Sequence, residues 1–185
     1  MAYQLFDKNG EQVILHDLQD KSPWCVTGAS YEQVFISKYG GHLDLTINPE
    51  KSTNIYAPDL FNLATNTIGE LKTQNTPFFQ AATRYNLNPQ YAVTFNVKDY
   101  LRYLQYYPEI EIYFGVDWII TGFKGTDTIK VEPMAGIWKV PFSGIREMIK
   151  TSPVHAYQQR VFDTGGNAKG SYVFDLQAPS FERVL

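Results

Sequence analysis

The segments Ile55-Tyr-Ala-Pro-Asp-Leu-Phe61 and Thr67-Ile-Gly-Glu-Leu-Lys-Thr73 decide the fold. Both are largely apolar or β-branched, and the polar run from Asn62 to Asn66 between them suits a turn, so they are expected to form two adjacent strands. Strand side chains alternate between faces, which puts Glu70 and Lys72 on one side with Gln74 two residues further along. The hairpin brings Asp59, late in the first strand, close to that pair. Two carboxylates and an ammonium on rigid neighbouring strands suit a hard divalent cation. Such a cation lowers the pKa of a bound water and offsets charge on a phosphate in transfer. The lysine would orient that water or help to deprotonate it. The same residues also allow an ordinary surface turn at Pro58-Asp59 with a solvated Glu70–Lys72 pair.

Working outward, Tyr3 to Leu15 reads as a hairpin turning at Asn9-Gly10. Ser30 to Lys38 reads as a helix with capping-box spacing at Ser30 and Gln33, stopped by Gly40-Gly41. Leu43 to Ile47 alternates like a half-buried strand. Thr76-Pro77 is expected to open a helix running to Tyr85. Strands follow at Tyr91–Phe95, Ile110–Ile120, Ile137–Val140 and Tyr172–Leu176. Helices are expected at Lys98–Tyr106, with Tyr100, Leu101 and Leu104 on one side, and at Ser143–Ile149, capped by Ser143. This order predicts an α/β fold on the α+β border, with a central mixed sheet and helices on both faces. One domain is expected: residues 1–27 as an N-terminal hairpin extension, 28–145 as the core and 146–185 as a C-terminal extension.

The pattern Pro58-Asp59, ten residues, Glu70-Leu71-Lys72 occurs once in the chain. Following a helix that bears Glu32, it resembles the PD-(D/E)XK nuclease superfamily, whose fold is restriction-endonuclease-like. The likeness covers about residues 28–145. It implies a metal-dependent deoxyribonuclease that hydrolyses DNA phosphodiester bonds, as a stand-alone restriction-type, repair or phage-encoded enzyme. Mg²⁺, with Mn²⁺ as substitute, would be held by Asp59, Glu70 and the Leu71 carbonyl. Glu32 would be an outer or second-site ligand, Lys72 would act on the water, and Gln74 would line the site, with Asn75 and Gln80 as weaker candidates. Glu32 also suits an ordinary first-turn position that complements the helix dipole.

The 185 residues carry 16 basic and 19 acidic side chains, a formal charge of −3, which excludes a generally basic nucleic-acid coat. A single cysteine, Cys25, excludes an internal disulfide and a cysteine-based zinc site. No nucleophile elbow accompanies His16, His42 and His155, and no phosphate-cradling or dinucleotide-binding glycine pattern is present. His42 and Asp44 flank a strand start, where a loop role outweighs a metal role. Asp117 suits a buried carboxylate at a strand end. No secretory leader and no membrane span are evident, so the cytoplasm is the expected location. In the tail, Arg160, Asn167 and Lys169 stand in a Gly-, Gln- and Tyr-rich segment suited either to DNA contacts or to capping a sheet edge. A two-fold homodimer is one arrangement open to a double-strand cutter. The rival functions are a catalytically silent nuclease-fold module that binds nucleic acid or a protein, and a hydrolase of another phosphate ester.

Overall fold

The computed structural model describes residues 3–13, 31–156 and 170–185. Among them no helix is long and apolar enough to cross a membrane. The strands are β1 (Gln4–Asp7), β2 (Gln12–Val13), β3 (Leu45–Ile47), β4 (Leu60–Asn62), β5 (Thr67–Gln74), β6 (Ala92–Asn96), β7 (Glu111–Asp117), β8 (Ile120–Lys124), β9 (Thr128–Lys130), β10 (Ala135–Pro141), β11 (Val154–Ala156), β12 (Gly170–Asp175) and β13 (Glu182–Arg183). The principal sheet is six-stranded, in the order β13-β10-β7-β5-β4-β3. β3, β4 and β5 form an antiparallel meander, β5 and β7 pair in parallel, and β10 lies antiparallel to β7. The expected α+β class with mixed pairing is therefore present.

A parallel neighbour requires a long crossover. Here it carries the helix Val97–Tyr106 across one face of the sheet. The pleat of β7 explains how both faces are covered. Ile112, Phe114 and Val116 alternate onto one face, where they pack with Tyr103, Trp138, Val140, Phe142 and Ile145. Tyr113 points to the other, with Phe35, Leu45, Leu60, Leu71 and Ile137. Full burial of each large apolar side chain stabilises the fold by about 1.5–3 kcal/mol. Gly69 lies beneath the Tyr113 ring, where a Cβ would meet ring carbon at 3.0 Å.

Several expected elements are corrected. Ile55 to Asp59 is not a strand; only Leu60–Asn62 is. Asn54 accepts from the Tyr56 N–H through its side chain at 3.1 Å, and its carbonyl accepts from Ala57 N at 3.0 Å. These local bonds win over the apolar pattern. Gly40-Gly41 does not stop the first helix. Residues 31–35 are α-helical, Ile36–Gly40 forms a π-turn, and Gly41–Leu43 continues to a left-handed end at Asp44 (φ 53°). Gly40 is required for packing instead, because a Cβ there would sit 2.7 Å from the Leu45 carbonyl. The proposed cap Ser30 lies outside the described residues.

The helix expected from Thr76 spans only Ala81–Tyr85, because Phe79 is drawn into a separate cluster with Leu5 and Ile120. On the Val97–Tyr106 helix the inward residue is Tyr103, fully buried, with Tyr100 half-buried beside it; Leu101 and Leu104 are exposed. Ser143 does not cap its helix, which runs Phe142–Met148 from Pro141 without a side-chain cap. The apolar run Ile110–Ile120 breaks at Trp118-Ile119, leaving Asp117 exposed at the end of β7 rather than buried.

Strand β8 joins a second sheet, β2-β1-β8-β9, into which the N-terminal hairpin is built. That hairpin forms as expected, with Gly10 at φ 81° supplying the turn. Strand β6 does not enter the principal sheet; it makes a third, β11-β12-β6. Among the described residues of the tail, the strand expected near Tyr172 is joined by a further one, β11.

Candidate functional site

Asp59 sits where the β4–β5 ladder opens. Leu60 pairs with Gly69, and just beyond that pair the Leu71 N–H donates to Asp59 Oδ2 at 3.3 Å. Buried Asn48 fixes the approach: its side chain donates to the Pro58 carbonyl at 3.0 Å and its N–H to the Asp59 carbonyl at 3.0 Å. A strand residue points its N–H and C=O to the same edge. The Leu71 carbonyl therefore opens on the Asp59 side, while its side chain is buried on the far face.

The other carboxylate of Asp59's pair of neighbours comes from Glu32 on the first helix. The 3₁₀ turn Pro49–Ser52, capped by Asn48, carries Lys51 between them. Its ammonium donates to Glu32 Oε1 at 2.7 Å and to Asp59 Oδ1. Burial pushes the Asp59 carboxyl above its ordinary range, and Glu32 adds to this; the Lys51 bond opposes it without reversing it. Burial works against the Lys51 charge, but the bonds to Asp59 and Glu32 raise its pKa overall.

On the adjoining strand Glu70 is only 5% exposed. Its Oε1 accepts from Lys72 Nζ at 2.8 Å and from Arg102 at 3.4 Å. Its Oε2 is buried with no hydrogen-bond partner. Lys72 also meets Asp99 Oδ2 at 2.7 Å. The Tyr103 ring underlies both cations, with Lys72 Nζ 5.8 Å and Arg102 Cζ 4.6 Å from its centroid. Burial opposes the Lys72 charge, yet Glu70, Tyr103 and Asp99 together hold its pKa well above the ordinary lysine value. Asp99 is held below the ordinary carboxylate range: burial raises it, and the charge and bond of Lys72 outweigh that.

Of the expected set, Asp59 meets β5 at the Leu71 N–H, while the charged groups form two clusters: Asp59 and Glu32 on Lys51, and Glu70 and Asp99 with Lys72 and Arg102. Glu32 reaches Asp59 through Lys51. Gln74 is engaged elsewhere: its Oε1 accepts from Thr94 N at 3.1 Å and its Nε2 donates to Thr76 O at 3.1 Å, which ties β5 to β6. The Asn75 carbonyl is likewise spent on Ile119 N, at 3.1 Å. His42 and Asp44 are exposed at a helix end. Arg160, Asn167 and Lys169 lie outside the described residues.

Lys51, Asp99, Arg102 and Tyr103 were not marked by sequence. The signal for the last three was present, because Asp99, Arg102 and Tyr103 fall within one turn of an expected helix.

Among the described residues no group of three or more His, Cys, Asp or Glu is arranged to hold a metal ion. The smaller donor set of Asp59, Glu70 and the Leu71 carbonyl has the chemistry of a hard dication site, and the orphaned Glu70 Oε2 is the oxygen such an ion would satisfy. Lys51 is the competing cation. Comparisons with protein-family models, with curated proteins and with solved structures returned no match.

Proposed function

We propose that the chain is a metal-dependent deoxyribonuclease of the PD-(D/E)XK type, with a restriction-endonuclease-like arrangement of β3, β4, β5, β7 and their flanking helices. The observation that carries this is the Asp59 carboxylate on the Leu71 N–H, beside a Glu70 whose buried Oε2 lacks a partner. Asp59, Glu70 and the Leu71 carbonyl would hold Mg²⁺ or Mn²⁺. When bound, the ion supplies an acidified water and positive charge for the phosphate.

The chain's own groups do the rest. Asn48 and the Leu71 N–H aim Asp59. Lys72 keeps its proton and acts as a fixed positive charge toward the phosphate rather than as a base. Arg102 and Asp99 hold Lys72 and Glu70 in register.

The test is nicking of supercoiled plasmid DNA with Mg²⁺ or Mn²⁺, for the native chain and Asp59→Asn. Cleavage is expected only with metal and only in the native chain. Equal cleavage by Asp59→Asn overturns the assignment.

One observation favours a second reading, the catalytically silent module that binds nucleic acid. Lys51 already bridges Glu32 and Asp59 with one positive charge, where a bound metal would otherwise sit. DNA binding without cleavage under any divalent ion supports that alternative.

A further inference from the structure

The loop leading into Asp59 exposes side chains that an apolar segment ordinarily buries. Ile55 and Tyr56 are 76% and 74% exposed. The facing helix end does the same with Tyr106, 64% exposed. Between them lies a cavity of about 420 Å³ lined by Glu50, Asn54, Tyr56, Arg102, Tyr106 and Tyr107. Two exposed tyrosines beside a cavity with an arginine and a carboxylate in its lining are suited to holding a ligand.

The cavity is continuous with the candidate site. Arg102 donates to the Tyr56 carbonyl at 3.4 Å with Nη1 and to Glu70 Oε1 at 3.4 Å with Nη2. One guanidinium therefore belongs to both the cavity wall and the carboxylate cluster. The loop is internally braced, since Asn54 Nδ2 donates to Glu50 Oε1 at 3.1 Å and Asn54 Oδ1 accepts from Tyr56 N at 3.1 Å. The Tyr56 ring is thus presented on a shaped turn.

Three phenol rings, one guanidinium and one exposed carboxylate match the parts of a nucleotide. The rings offer stacking faces, Arg102 suits a phosphate, and Glu50 accepts from the amino or ring N–H donors of a base edge. A paired base inside a duplex presents neither face, because both are stacked on its neighbours. We propose that this cavity is a stacking subsite for an unpaired base of a single-stranded DNA segment next to the bond being cut. The preferred substrate then has a single-stranded end, flap or loop. This inference rests on the nuclease reading above.

The test uses the full chain with Ca²⁺ in place of Mg²⁺ and a short single-stranded DNA carrying 2-aminopurine at successive positions. The same oligonucleotide in a blunt duplex is the comparison. The native chain is expected to quench the probe at one position of the single strand and to bind that strand more tightly than the duplex.

Tyr56→Ala with Tyr106→Ala is expected to remove the quenching and to lower single-strand affinity on the order of 10- to 100-fold relative to duplex. Tyr56→Phe with Tyr106→Phe retains both, since the ring stacks without its hydroxyl. Both tyrosines are exposed, so melting of the variants verifies that they fold. An unchanged ratio of single-strand to duplex affinity in the alanine variant overturns the subsite. Binding equally lost for both DNA forms also overturns it, because the cavity would then be a general contact. Metal-dependent nicking by the native chain, absent in Asp59→Asn, is scored separately, so the nuclease reading can stand while the subsite fails.

Discussion

The Lys51 ammonium is held by the Asp59 carboxylate, the first acidic residue of the candidate metal site, and by Glu32 at 2.7 Å. Any dication that uses Asp59 must compete with this tethered cation. Lys51→Met is therefore expected to tighten Mn²⁺ binding by on the order of 10-fold, measured by calorimetric titration. Without metal the same variant should be less stable by about 1–3 kcal/mol, because two partly buried carboxylates lose their counter-charge. Added Mn²⁺ should restore its melting temperature. Loss of stability with no gain in metal affinity would make Lys51 a structural cation only.

Lys72 is expected to behave as a permanent charge. Glu70 and Asp99 both hold it protonated, so it cannot titrate in the working range of a nuclease. Lys72→Ala should lower cleavage by on the order of 10²-fold or more and should destabilise the fold by about 3 kcal/mol, since two acids are left facing Arg102 alone. Lys72→Arg should recover much of the stability. The pH–rate profile of the native chain should show no ionisation attributable to lysine; an ionisation in that profile that disappears in Lys72→Arg would restore the role of Lys72 as a base.

Gln74 tests where a pattern in the sequence misleads. It shares a face with Glu70 and Lys72, yet its amide is spent on Thr94 and Thr76. Gln74→Ala should cost about 1–2 kcal/mol in chemical denaturation, with metal affinity unchanged. A loss of metal affinity with stability preserved would return Gln74 to the site.

What was legible followed from strictly local periodicity. The two-residue repeat of β5 fixes Glu70 with Lys72, and the short β4–β5 ladder leaves Asp59, one residue before β4, beside that strand although the longer expected strand does not form. Lys51 was invisible because Asn48-Pro-Glu-Lys-Ser-Thr-Asn54 has no periodicity, and its direction depends on a 3₁₀ turn. Asp99 and Arg102 lay on an expected helix, but only the parallel β5–β7 pairing places that helix over Glu70. The three separate sheets were hidden for a similar reason. Ile110 to Ile120 is mostly apolar, and although Asp117 marks a strand end, nothing local shows that the chain changes sheet at Trp118-Ile119.

His155 is buried on β11, edge-on to Phe78 with ring centroids 4.9 Å apart, and its Nδ1 bonds the Tyr85 hydroxyl at 2.9 Å. Burial, reinforced by the charge of Arg84, lowers its pKa below the ordinary histidine value of 6.5. The fold thus prefers the neutral ring. Above the ordinary value neither folded nor unfolded chain binds this proton, and the full contribution of the neutral ring is present. As pH falls below it, the unfolded chain takes up the proton first and stability is lost until the folded group also titrates. Asp59 works in the opposite sense at lower pH, since its raised pKa lets the fold protonate first. The histidine term is isolated by comparing the native chain with His155→Leu. Between pH 7.5 and 5 the melting temperature of the native chain should fall relative to that variant. Arg84→Ala should bring the folded-state pKa back toward the ordinary value, so that the fall ends at a higher pH and is smaller. Parallel melting curves for the native chain and His155→Leu across that range would show that His155 does not couple folding to pH.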